Sequence, residues 1–239
     1  MIGTVLGLVV ASYLGTLLAR WPRGESATFG RSRCDACRRR LAWFELVPLA
    51  SFLALAGRCR ACGAAIPWVY PLLEIGCGVA GAWLFLAGAP ALAPLAWLLI
   101  ALSLFDALHL WLPDKLVALL AVVAIASPGF DAADTLALRL AAGVTGFAAL
   151  WLIGRAFRMW RGHDGLGGGD PKLFGAIGLW VGPLALPLLL LSACVIGFGD
   201  AAWRLLRSRQ ARNTQLPLGT YLSAATVIIV VARPLLVPA

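Results

Sequence analysis

Charge is scarce in this sequence. Of 239 residues only 13% are Asp, Glu, Lys or Arg, and only 11 are acidic. An average soluble domain carries about 25% charged residues, so a disordered chain and a soluble globule are both excluded. Histidine occurs twice, with no H-E-x-x-H motif and no Ser/His pair. That removes the usual zinc-protease and serine-hydrolase arrangements. Six cysteines in a chain of this length are too few for a secreted disulfide scaffold. The first apolar stretch has neither a basic leading segment nor a convincing cleavage site before Arg20, so it reads as a retained span and not as a signal peptide. No internal repeat, low-complexity tract or paired transporter halves are evident.

What fills the sequence is apolar material: 61% of residues, with a mean hydropathy of +0.88. At roughly 20 residues per membrane helix this suffices for about seven or eight spans. The expectation is an all-α polytopic membrane protein in the lipid bilayer. Residues 1–19 form the first span, 20–67 a polar insert, and 68–239 a core of seven further helices. Those seven run over about 70–86, 91–109, 115–126, 135–154, 171–181, 184–203 and 219–236. The stretch 41–57 is apolar but broken by Glu45 and Pro48, which suits an interfacial piece better than a span. Gly175, Gly178 and Gly182 read as helix-packing residues.

The formal charge of +9 is explained by loop bias, without nucleic acid. With the amino terminus outside and eight spans, all basic residues except Arg139 and Arg233 fall on the inner side, Arg209 and Arg212 included. The insert is then cytoplasmic.

Two C-x-x-C pairs, Cys34/Cys37 and Cys59/Cys62, stand in that insert among nine arginines. Four thiolates at this spacing suit a structural, tetrahedral Zn²⁺; two disulfides are the alternative, which a reducing compartment disfavours. Flanking arginines would favour the thiolate. Cys77 and Cys194 read as core residues.

Acids within spans are costly and invite a functional explanation. Asp106 lies near the end of the third span with no structural excuse. Asp114 follows Pro113 and reads as a helix N-cap. Asp170 closes Gly165-Leu166-Gly167-Gly168-Gly169 and precedes Pro171, so an N-cap is a fair alternative to catalysis. Two features favour chemistry. The glycines, Gly167 and Gly169 among them, allow close backbone approach. Lys172 sits in the first helical turn, which implies a nearby anion. Two facing carboxylates share one proton, so one can act as base on water and the other as acid on a peptide carbonyl. Ion relay through the same acids in a transporter is the rival from another class.

At these residues the sequence resembles the bacterial type IV prepilin peptidases, membrane aspartic peptidases of the Gly-x-Gly-Asp class. The blocks are Arg31 to Cys37, Trp43 to Pro48, Gly57 to Gly63, Tyr70 to Glu74, Asp106 to Asp114 and Gly167 to Leu173, in that order. The resemblance implies cleavage of basic leaders from prepilins and pseudopilins at the inner membrane of a bacterium, on its cytoplasmic face. It also implies N-methylation of the new terminus with S-adenosylmethionine. Asp106 and Asp170 carry over as the catalytic pair, and Cys34, Cys37, Cys59 and Cys62 as zinc ligands. Glu45 and Glu74 are candidates for the methylation site, or else polar anchors at the interface. The pattern departs at Gly15 (usually Asn), Val69 (usually Arg), Asp164 (usually Glu) and Pro171. The first two fall in the half associated with methylation, so a peptidase lacking that second activity is the alternative.

Overall fold

A computed structural model describes residues 1–26, 31–131, 133–207 and 216–236. Arg209 and Arg212, counted in the charge balance above, lie outside these residues. The described chain is helical, with only isolated backbone bridges and no strand. Eight α-helices follow one another: α1 (Ile2–Arg20), α2 (Ala50–Ala54), α3 (Val69–Leu86), α4 (Ala93–His109), α5 (Asp114–Ala126), α6 (Leu136–Arg161), α7 (Asp170–Arg207) and α8 (Leu218–Leu236). Six of them are long and apolar enough to cross a membrane: α1, α3, α4, α6, α7 and α8. The expected count of eight is therefore not reproduced. The 13-residue α5 falls below that length, and the segments 171–181 and 184–203 are two helical halves of α7 that meet at a break at Gly182. The apolar stretch 41–57 forms a 3₁₀ turn, Trp43–Leu46, and the short α2, and no span.

The chain divides into two compact units, Met1–Ala93 and Pro94–Ala239. In the first, α1 packs on α3 through small residues. A Cβ on Gly3 would stand 2.3 Å from the Gly81 carbonyl oxygen, and one on Gly7 2.3 Å from that of Cys77. The backbones touch, and dispersion between them substitutes for the hydrophobic drive that lipid removes. Cys77 is fully buried as expected, whereas Cys194, in the second unit, is only half-buried.

In the second unit α6 and α7 meet in the same way. A Cβ on Gly178 would lie 2.8 Å from the Ala142 oxygen, and one on Gly175 3.0 Å from that of Gly143. Gly182 behaves differently from the packing role expected of it. Its φ of 77° breaks α7, and a Cβ there would run into the Asp134 carboxylate. Pro183 lacks an N–H, so the Leu179 carbonyl loses its helical donor. The buried Arg139 of α6 replaces it, with Nε donating to the Leu179 oxygen at 2.8 Å. Arg139 Nη2 also donates to the carbonyls of Ala124 and Ser127 at the end of α5. One guanidinium thus caps two helices.

Candidate active site

Asp106 lies one turn before the end of α4, and Asp170 is the first residue of α7. Both are buried, at 5% and 6% exposure. The structure brings them into one electrostatic neighbourhood, with the backbone of Gly219 in contact with both carboxylates. Asp106 Oδ2 accepts from the Thr220 N–H at 2.7 Å and stands 3.1 Å from the Thr220 hydroxyl. Asp170 Oδ2 accepts from the Gly167 N–H at 3.0 Å.

That last bond is not an N-cap bond. An N-cap side chain accepts from amides ahead of it; this one accepts from an amide three residues behind, and it already belongs to the helix. Asp114 is not an N-cap either. Pro113 holds that position, and Asp114 Oδ1 accepts from Lys172 Nζ at 2.7 Å. The anion inferred for Lys172 is therefore Asp114, and the pair ties the start of α5 to the start of α7.

The glycines before Asp170 differ in their surroundings. A Cβ on Gly169 would stand 2.8 Å from Leu112 Cβ, and one on Gly167 2.9 Å from Asp170 Oδ2, whereas Gly168 faces open space. Leu112 also abuts Gly219, where a Cβ would stand 2.9 Å from its Cδ1 and 3.0 Å from Asp106 Oδ2. Gly219 and Thr220 were missed in the sequence. Their only mark is Pro217 ahead of an apolar run, which signals a helix start and nothing about an acid more than a hundred residues away. His109 and His163 are exposed.

The four insert cysteines converge, with their Sγ atoms all within 4.8 Å of one another and Cys34–Cys62 at 3.9 Å. A tetrahedron with Zn–S arms of about 2.3 Å has edges of about 3.8 Å, so the cluster fits a metal. All four are free thiols, so the disulfide alternative is not what the structure contains. The pairs sit on duplicated turns. The Cys34 N–H donates to the Arg39 carbonyl, that of Arg38 to Cys34 and that of Leu41 to Ser32. The Cys59 N–H donates to Ala64, that of Gly63 to Cys59 and that of Ile66 to Gly57. Each second residue lies 25 positions after its counterpart, as Cys59 does after Cys34. This is an internal repeat where none was expected, and Arg-Cys-x-Ala-Cys recurs in the sequence at both turns. The Cys59 thiol is drawn down to about 6, first by the N–H groups of Cys62 and Ala61. Turn geometry therefore precedes the flanking arginines as the cause.

The same unit holds a half-open pocket of about 710 Å³, with Gly15, Arg20, Tyr70, Glu45 and Glu74 among its walls. Glu45 is held tightly. Arg39 Nη2 donates to it at 2.5 Å and the Ala42 N–H at 2.8 Å, which hold its carboxyl below the usual range. Among the described residues Glu74 accepts one bond, from the Leu49 N–H at 2.8 Å. Gly15 leaves room for the Tyr70 ring, 3.2 Å from where its Cβ would be.

The comparisons divide along the same two units. The family model described as "Bacterial Peptidase A24 N-terminal domain" matches residues 5–87, and "Type IV leader peptidase family" matches residues 93–200. No solved structure matches. Among curated relatives, a protein of Stutzerimonas stutzeri is 33% identical over 92% of this chain and 86% of its own length. One of Pseudomonas aeruginosa is 32% identical over 92% and 86%, and one of Dickeya chrysanthemi 33% over 92% and 88%. Each is named prepilin leader peptidase/N-methyltransferase. A third of the residues shared along nearly the full length of such relatives, on top of one family model per unit, makes this chain a member of the type IV leader peptidase family.

Proposed function

We propose that this chain is a multi-pass bacterial inner-membrane enzyme that removes the basic leader of prepilins and pseudopilins and then methylates the new amino terminus. The observation that carries the cleavage step is the buried pair Asp106 and Asp170, with the Gly219 backbone against both. Two carboxylates so placed cannot both ionise easily and hold one proton between them. The charged member takes a proton from the attacking water while the other donates to the scissile carbonyl. As the tetrahedral intermediate collapses, the proton gained from water passes to the leaving amine and the second acid takes a proton back from the intermediate's hydroxyl as the carbonyl re-forms. With α5 and each half of α7 crossing alongside the five other long helices, the inward bias of the basic residues supports an amino terminus outside and both acids at the cytoplasmic face.

Cys34, Cys37, Cys59 and Cys62 would hold a zinc ion, which supplies cross-linking to an insert too small for its own core. S-adenosylmethionine would supply the methyl group, and a pocket of about 710 Å³ is in the range of small-molecule sites. Of the two acids there, Glu74 suits the substrate's α-ammonium group, since Glu45 is already paired with Arg39.

Incubating purified protein with a prepilin tests the reading. A shortened product heavier by one methyl group, lost to cleavage in Asp106→Asn and in Asp170→Asn, is the expected result. A correctly cut but unmethylated product would leave only the peptidase. No cleavage by the native protein would overturn the proposal. Metal analysis should give about one zinc per chain.

A further inference from the structure

Thr220 Oγ1 lies 3.1 Å from Asp106 Oδ2 and 3.0 Å from the Ser103 carbonyl oxygen. A hydroxyl has one proton and both neighbours are acceptors, so it can serve only one of them fully at a time. The Thr220 N–H, 2.7 Å from the same Oδ2, has no such freedom. The start of α8 is itself anchored. The Tyr221 hydroxyl donates to Asp200 Oδ2 at 2.5 Å, and Arg204 Nε donates to that oxygen at 2.7 Å. A Cβ on Gly197 would stand only 2.9 Å from the Tyr221 ring.

We propose that Thr220 is a positioning residue whose hydroxyl turns between two acceptors as Asp106 changes its protonation state. This rests on the two-aspartate mechanism above, in which each acid gains and loses a proton in every cycle. When Asp106 is charged, the hydroxyl donates to it beside the fixed N–H. When Asp106 carries the proton, the hydroxyl swings to the Ser103 carbonyl and no donor is left stranded against a neutral carboxyl. The rotation requires no backbone movement, so the carboxyl keeps its place through both halves of the reaction. A fixed second donor would favour the charged state alone; a methyl group would support neither.

Steady-state cleavage of a prepilin peptide by the full-length native protein, Thr220→Val and Thr220→Ser tests this. Thr220→Val keeps the shape and the N–H but removes the hydroxyl. It should lower kcat about 10- to 100-fold, the equivalent of one hydrogen bond to a charged group, with KM unchanged. Thr220→Ser should restore most of the rate. Thermal unfolding of each variant in detergent shows whether it is folded, and Thr220→Ser keeps the test valid if Thr220→Val is not. Full kcat in Thr220→Val, a loss confined to KM, or Thr220→Ser as slow as a folded Thr220→Val would each overturn the proposal. Absence of cleavage by the native protein would instead overturn the peptidase assignment on which it stands.

Discussion

Substituting the three glycines before Asp170 one at a time by alanine should separate motif from scaffold. At Gly168 nothing lies within 4 Å of an added Cβ, and the backbone is not left-handed. Gly168→Ala should keep the native cleavage rate and stabilise the protein by about 0.4–1 kcal/mol through the unfolded chain. At Gly169 the added Cβ would stand 2.8 Å from Leu112 Cβ, where ordinary contact begins at 3.4 Å. About 0.6 Å must then be found against a side chain that is 5% exposed and whose Cβ cannot rotate away. The neighbour that moves is Asp170. A 1 Å misplacement of reacting groups costs about 100-fold, so a shift of about half that size should slow cleavage about tenfold. At Gly167 the Cβ would stand 2.9 Å from Asp170 Oδ2 and force the carboxylate off the hydrogen bond it accepts from the Gly167 N–H, so the loss there should be at least as large. Initial rates of leader removal at matched protein amounts, with melting temperatures alongside, give the comparison. Gly168→Ala as slow as Gly169→Ala, or Gly169→Ala at full rate, would refute the steric reasoning.

Other outcomes follow from the same geometry. Asp114→Asn should be mild, within about 1 kcal/mol in thermal unfolding, because its partner Lys172 is exposed and such pairs contribute little. Arg139→Met leaves the Leu179, Ala124 and Ser127 carbonyls without their buried donor and should cost about 2 kcal/mol or more, read as a lowered melting temperature. The two cysteine turns differ at one left-handed position, Arg38 with φ 59° and Gly63 with φ 70°. Arg38→Gly should slow zinc loss to a chelator, and Gly63→Arg should speed it through about 1 kcal/mol of backbone strain. Glu45 is held below its unfolded value by Arg39, so its contribution to stability is present above about pH 4.3 and is lost as pH falls through the folded value. Hydrogen-exchange protection of the Ala42 amide should fall over that range, after correction for intrinsic exchange, and Glu45→Gln should remove the dependence.

The membrane helices were legible because each is a long apolar run, and the cysteine cluster because four thiols at fixed spacing admit few arrangements. Asp106 stood out as an acid in a span. Asp114 reads as an N-cap only because Pro113-Asp114 has the local form of a helix start. Its actual partner, Lys172, lies 58 residues on, and local pattern carries no such distance. Gly182 was grouped with Gly175 and Gly178 by spacing, but its role comes from the following Pro183 and the Asp134 carboxylate beside it. Thr220 was invisible for the same reason as Lys172's partner. It acts on a residue 114 positions away, and hydroxyls in apolar helices ordinarily bond their own backbone, as Thr226 does with Leu222.

Arg139 also imposes an order on synthesis. Two of its acceptors, Ala124 and Ser127, are made 15 and 12 residues before it, and the third, Leu179, 40 residues after. At about 5–20 residues per second, the guanidinium waits about 2–8 seconds for its last acceptor. During that interval the nascent chain holds a cation committed to α5 and still unanswered on its other side. α5 and α6 can therefore associate as they emerge, while α7 completes the assembly when its broken turn arrives. A ribosome stalled between Arg139 and Leu179 would leave a helix pair whose shared guanidinium still lacks its third acceptor.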